Sequence, residues 1–186
     1  QISIGKLITA RTTDELVENL KETEYYAPLK KIKDTDNVTL YDYNLALDLY
    51  YYTSTWKEQK KILKKSDLEL FMRDRGSKID LLNIQWIYRA KKYYNMKPAD
   101  IYLMLIPIHY KLSTELVKDM VEAPGVEEFE NVVIRTTYAR HYNFKQNLTM
   151  EQMYADCLHH LYTADRRKNP YSVSAINTYL FLKEEE

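Results

Sequence analysis

A chain of 186 residues can fold around one sizeable core or two small ones. Its 27 basic and 27 acidic side chains balance to zero net charge, which argues against a nucleic-acid binder relying on bulk electrostatics, although a local basic face is still allowed. With 3 Gly and 5 Pro the chain lacks the turn residues that an all-β or α/β protein of this size needs, so the expected fold class is all-α.

The single Cys157 excludes an intramolecular disulfide and fits a reducing compartment. No window is apolar for long enough to span a bilayer, and the N-terminus carries no signal-peptide pattern, so the chain reads as cytoplasmic and not inserted in the membrane. The sequons at Asn37 and Asn147 are read as chance for the same reason. Eighteen Tyr stand against 4 Phe. Tyrosine has an apolar body and a wet tip, which suits thin layers of helices where few positions are completely dry.

In chain order, residues 1–10 carry Ile2, Ile4, Leu7 and Ile8 with no start signal and read as the tail of something earlier. Thr12 to Glu15 form a capping box that opens a helix through Leu16, Val17 and Leu20. Pro28 restarts a short helical turn, and residues 33–37 read as polar loop. From Tyr41 to Leu63 the stripe Leu45, Leu49, Tyr52 and Trp56, widened by Leu47 and Tyr51, predicts a long and well-buried helix. Its end is basic, with Lys57, Lys60, Lys61, Lys64 and Lys65 inside nine residues. The helix macrodipole accounts for cations there, and an acidic partner or a lipid surface is the sharper alternative.

Ser66 to Glu69 read as a second capping box. Beyond it, Ile79, Leu82, Trp86, Ile87 and Ala90 recur at three- and four-residue steps, while Leu81, Ile84 and Tyr88 add a second stripe. Such a helix is buried on two faces, and the expectation is one long helix with a defect at Gly76. Pro98 at a first helical position opens a short helix to Leu105, Pro107 stops it, and another runs from Ser113 to Val121. A short helix over 126–131 and a loosely patterned stretch over 135–144 follow. Thr149 to Gln152 form a third capping box, starting a helix through Met153, Cys157, Leu158 and Leu161. Asn169-Pro170 breaks it, and a last helix from Ser172 through Leu182 ends without a cap. The uncapped ends read as those of a fragment of a longer protein.

Thr13 to Leu20 (TDELVENL) and Ser113 to Met120 (STELVKDM) place Glu-Leu-Val on Glu-Leu-Val at a shift of one hundred residues. Leu45, Asp48 and Leu49 then pair with Met153, Asp156 and Cys157. Ile79, Leu82, Asn83 and Arg89 pair with Val173, Ile176, Asn177 and Lys183. Matches in the same order imply a duplicated helical module: residues 1–10 the tail of a preceding repeat, 11–110 a module, and 111–186 a second, incomplete copy.

Little points to chemistry. Asp156 and His160 share a helix face at four-residue spacing, but two ligands do not make a metal site. Cys157 lies on the apolar side of its helix, where thiols are inert. There is no Gly-rich phosphate loop, nucleophile elbow or HExxH motif, so no catalytic residue, metal or cofactor is expected.

Ile79 to Ile84, Arg89-Ala90-Lys91, Leu105-Ile106-Pro107 and Glu115-Leu116-Val117 together resemble the central repeat of the C subunit of the archaeal and bacterial V-type (A-type) rotary ATPase, equivalent to the d subunit of the eukaryotic enzyme. Asn169-Pro170, Ser172 to Ser174, Tyr179-Leu180 and Lys183-Glu184 are similar to the late helix of that family, and Thr12 to Tyr26 to its repeated unit. The resemblance implies an all-α, funnel-shaped protein of three related domains, of which this chain holds the middle one and part of its neighbours. It further implies a non-catalytic rotor component on the cytoplasmic face of the membrane. That component sits on the proteolipid ring and receives the central stalk, so that torque passes through it. Arg89, Lys91, Lys183 and Glu184, which the repeat places near helix ends, are the candidate partner-interface residues. The competing readings are a helical-repeat adaptor for an unrelated protein and, further off, an enzyme or ligand-binding domain.

Overall fold

A computed structural model of the chain describes residues 2–33, 38–141 and 149–165, together with Tyr179. Among the described residues every regular element is helical, as the scarcity of turn residues predicts. The chain divides into two compact units, Gln1–Thr55 and Trp56–Glu186.

The first unit contains α1 (Ile4–Thr9), α2 (Thr13–Asn19), α3 (Tyr26–Lys33) and the first part of α4 (Leu40–Ile62). The capping box at the head of α2 forms: Thr12 Oγ1 accepts from the Glu15 amide at 3.1 Å, and Glu15 Oε2 accepts from the Arg11 amide at 3.0 Å. Val17, Leu20 and Leu29 make a small core, rimmed by Leu7, Tyr25, Tyr26, Tyr43 and Leu47. The Tyr25 and Tyr50 rings meet edge to face at 5.9 Å, and the Tyr50 hydroxyl reaches Glu24 at 3.3 Å. Rings that pack on one side and stay wet on the other are the thin-layer use of tyrosine that composition predicts.

The length and position of α4 agree with the stripe, but its burial does not. Leu45, Leu47, Leu49, Tyr52 and Trp56 are only half-buried and Tyr51 is exposed, so no residue of α4 is fully covered. The helix passes from the first unit to the second between Thr55 and Trp56. In the second unit the Trp56 ring leans on Phe71 at 5.7 Å.

The axis of the second unit is α5 (Lys65–Lys92). Its start corrects the second capping box. The helix begins one residue before Ser66, with Lys64 at the N-cap making no side-chain cap and Lys65 in the left-handed region at φ 50°. The serine is therefore already inside the first turn. The helix then runs through Gly76 without interruption. A Cβ on Gly76 would lie 2.6 Å from Cγ of Tyr110, so the glycine lets that ring lie against the helix backbone. From Asp74 to Ile84 every residue of α5 is buried, which is the two-stripe expectation carried right around the helix.

Around α5 lie α6 (Pro98–Met104), α7 (Thr114–Glu122), α8 (Val126–Val133), a 3-10 turn at Thr137–His141 and α9 (Met150–Asp165). Pro98 stands in the first turn of α6, where its missing N–H costs nothing. Ser113 Oγ caps α7 through the Leu116 amide at 3.1 Å. Thr149 and Gln152 cap α9 reciprocally, at 3.2 Å through the threonine hydroxyl and 2.7 Å through the glutamine side chain. One core joins Leu81, Ile84, Ile87 and Tyr88 of α5 to Val117 and Met120 of α7, Phe129 and Val133 of α8, and Met153 and Leu158 of α9. The final predicted helix, from Ser172 to Leu182, lies outside the described residues except for Tyr179, which is helical and exposed.

Candidate partner-docking site

The polar residues on a helix buried all round need partners. Asp80 accepts four hydrogen bonds: from the Tyr110, Lys111 and Leu112 amides at 3.0, 2.7 and 3.1 Å, and from the Tyr138 hydroxyl at 2.8 Å. Burial pushes its carboxyl above the ordinary range, and the four donors pull against that. Burial and the neighbouring carboxylate hold the Tyr138 phenol above its ordinary range. One turn further along, Asn83 treats Ile106 as a strand would: its Oδ1 accepts from the Ile106 amide and its Nδ2 donates to the Ile106 carbonyl, both at 3.0 Å. The segment from Leu105 to Leu112 has no regular structure of its own to satisfy its backbone, so two side chains of α5 do it.

Beyond this clamp lies the C-terminal end of α5, where two of the sequence-derived interface residues sit. Arg89 is exposed. Lys91 turns inward: its Nζ donates to the Val121 and Ala123 carbonyls at 2.7 and 2.6 Å, satisfying the end of α7. Burial holds its pKa below the ordinary lysine value. Lys183 and Glu184 lie outside the described residues.

Next to Arg89, the Lys92 ammonium lies 4.8 Å above the Tyr88 ring and 5.4 Å above Tyr93, and it donates to the Tyr88 hydroxyl. The hydroxyl contact, ahead of all other causes, raises the Lys92 pKa. Tyr93 and Tyr94 are 57% and 71% exposed, large areas for rings at the end of a buried helix. Asn95, at φ 46°, then turns the chain so that the Met96 amide returns to the Ala90 carbonyl at 3.0 Å. Arg89, Lys92, Tyr93 and Tyr94 thus form a cationic and aromatic end on a rigid stem, a composition suited to docking a polypeptide.

The clamp was not among the residues singled out from sequence. The available signal was that Asp80 and Asn83 interrupt two apolar stripes at once, so no rotation of the helix takes both to water. Asp156 and His160 are both exposed on α9, and among the described residues no group of three His, Cys, Asp or Glu is placed to hold a metal ion. Cys157 is buried, its thiol pushed up to about 11 chiefly by burial.

Residues 1–186 match the family described as ATP synthase (C/AC39) subunit. The chain belongs to this family. Among its relatives are proteins named as the C subunit of A-type ATP synthase. That of Methanosarcina mazei is 32% identical over 136 residues, covering 73% of this chain and 36% of the relative. Those of Methanosarcina barkeri and Methanosarcina acetivorans are 29% and 28% identical, covering 73% of the chain and 36% and 35% of the relatives. The chain therefore spans about a third of the length of the curated relatives it matches. No solved structure gives a significant match. Like the sequence, the described residues of this C/AC39 member contain no helix long and apolar enough to cross a membrane.

Proposed function

We propose that the chain is a non-catalytic rotor piece of an A/V-type ATPase, lying between the central stalk and the membrane proteolipid ring on the cytoplasmic face and passing torque between ATP chemistry and ion translocation. The observation that carries this reading is membership of the C/AC39 family over residues 1–186. The build of the second unit supports it, because a part that transmits torque must not shear. Here Asp80 and Asn83 fix a loop to α5, Lys91 fixes the end of α7 to the same helix, and Arg135 holds Asp119 of α7 at 2.6 Å.

Arg89, Lys91, Lys183 and Glu184 remain the proposed interface. Arg89, with Lys92, Tyr93 and Tyr94, meets the partner directly, and Lys91 holds the surface behind them. The repeat belongs to the same proposal. In both Glu-Leu-Val segments a hydroxyl caps the first turn and the same two positions are buried, Val17 and the C-cap Leu20 of α2 and Val117 and Met120 of α7. The caps, Thr12 and Ser113, differ by one residue in the alignment.

Affinity purification of the tagged chain from solubilised membranes of cells that encode it tests the reading. Stalk and proteolipid components are expected to come with it, and Arg89→Glu is expected to reduce their recovery several-fold by placing a like charge against an acidic partner. Recovery of an unrelated protein in their place would support the adaptor reading instead.

A further inference from the structure

The basic corner between α4 and α5 has a distribution that helix stability does not explain. Lys57, Lys60 and Lys61 follow at three- and four-residue spacing on one face of the last turns of α4, and Lys64 and Lys65 carry the charge around the corner. All five are exposed, and among the described residues no carboxylate pairs with any of them. The macrodipole of α4 favours the first three. Lys64 and Lys65, just past the end of α4, also stand at the N-terminal end of α5, where that helix's own dipole opposes a cation. Glu58 is the only acid between Lys57 and Lys65, and Ile62, among the lysines, is 68% exposed.

We infer that this corner docks on a membrane surface by binding the phosphates of anionic lipid headgroups. Five lysines and no arginine give compact, hydrated point charges without the planar fork that pairs with protein carboxylates, which favours a loosely ordered anionic surface over a defined acidic peptide. The exposed Ile62 gives the headgroup region an apolar side chain to take up. The inference stands apart from the rotor reading, since it uses only these residues and their exposure.

The test is sedimentation of the full chain with phosphatidylcholine vesicles, with and without about one-third phosphatidylglycerol, at about 0.1 M salt. Binding is expected only to the anionic vesicles and is expected to fall as salt rises. The variant Lys60→Gln/Lys61→Gln/Lys64→Gln, with helical circular dichroism unchanged, is expected to bind roughly fivefold more weakly for each lysine removed, about 100-fold in all. The control Lys30→Gln/Lys31→Gln, which removes two exposed lysines from α3, is expected to leave binding within about twofold. Equal binding to neutral vesicles, or a control as weak as the corner variant, overturns the inference. So does retention on immobilised polyglutamate without vesicle binding, which would assign the corner to an acidic protein. Failure here with stalk components still co-purifying would remove the lipid site alone.

Discussion

The Tyr138 hydroxyl donates to Asp80 at 2.8 Å across 58 residues of chain, completing a ring of four donors around one fully buried carboxylate. That contact ties the 3-10 turn before α9 to the middle of α5, and through the amides of Tyr110, Lys111 and Leu112 to the loop that leads into α7. Tyr138→Phe removes one of the four hydrogen bonds to this buried carboxyl and is expected to lower stability by about 1–3 kcal/mol, and Asp80→Ala by more, because it leaves four donors unpaired. Urea titration measures both. The pH dependence has a definite sign. Because burial raises the folded carboxyl above its ordinary value, the stability linked to Asp80 is full below that value and is lost as pH rises through the folded one. Losing the Tyr138 donor moves that loss to higher pH.

Asn83 and Ile106 offer a test that separates geometry from size. Asn83→Asp keeps the shape, but it turns an oxygen toward the Ile106 carbonyl, where Nδ2 now donates at 3.0 Å. The near-isosteric change is expected to cost about 2–4 kcal/mol, at least as much as Asn83→Ala, with the larger penalty at pH 7 and a smaller one where the new carboxyl is protonated. Thermal melts of the two variants at pH 5 and pH 7 provide the comparison.

Gly76 against Tyr110 predicts a sign reversal. On propensity alone Gly76→Ala would stabilise an interior helix position by about 1 kcal/mol. Here the added methyl meets the Tyr110 ring at 2.6 Å and disturbs the residue whose amide binds Asp80, so a net loss of about 1–3 kcal/mol is expected. In a Tyr110→Ala background the same substitution is expected to become neutral or stabilising, which a double-mutant cycle by chemical denaturation will show.

Cys157 is expected to resist thiol reagents at neutral pH in the native state and to react freely once the chain unfolds. Its thiol, raised to about 11, stays protonated in the folded protein at pH values where the unfolded chain ionises. Stability linked to this group is therefore full below about 9 and declines as pH rises toward about 11, by about 2–3 kcal/mol in total. Comparing denaturation midpoints of wild type and Cys157→Ala from pH 8 upward isolates that slope, which the variant lacks.

The helical class, the two-sided burial of α5 and the caps at Thr12 and Thr149 were legible in the sequence because each depends on residues within a turn or two of one another. The Asp80 and Asn83 clamp was not, since its partners lie from 23 to 58 residues away and no local spacing links them. Ser66 shows the converse limit. Its capping pattern is intact, yet the helix starts one residue earlier, at Lys65, and leaves the serine without that role. The stripe on α4 fixed the phase of the helix but not its burial, because periodicity says which residues face a core and not whether one core runs the whole length of the helix. At the candidate interface, the positions of Arg89 and Lys91 near a helix end were readable, but the inward turn of Lys91 onto α7 was not.

The ratio of ion transport to ATP hydrolysis in inverted membrane vesicles tests most directly the proposal that this chain couples the two processes without performing either. Vesicles from cells lacking the chain are expected to go on hydrolysing ATP while ATP-driven ion uptake falls to background, with uptake restored when the chain is returned. Unchanged uptake in its absence would contradict the account, as would loss of hydrolysis by the detached catalytic head.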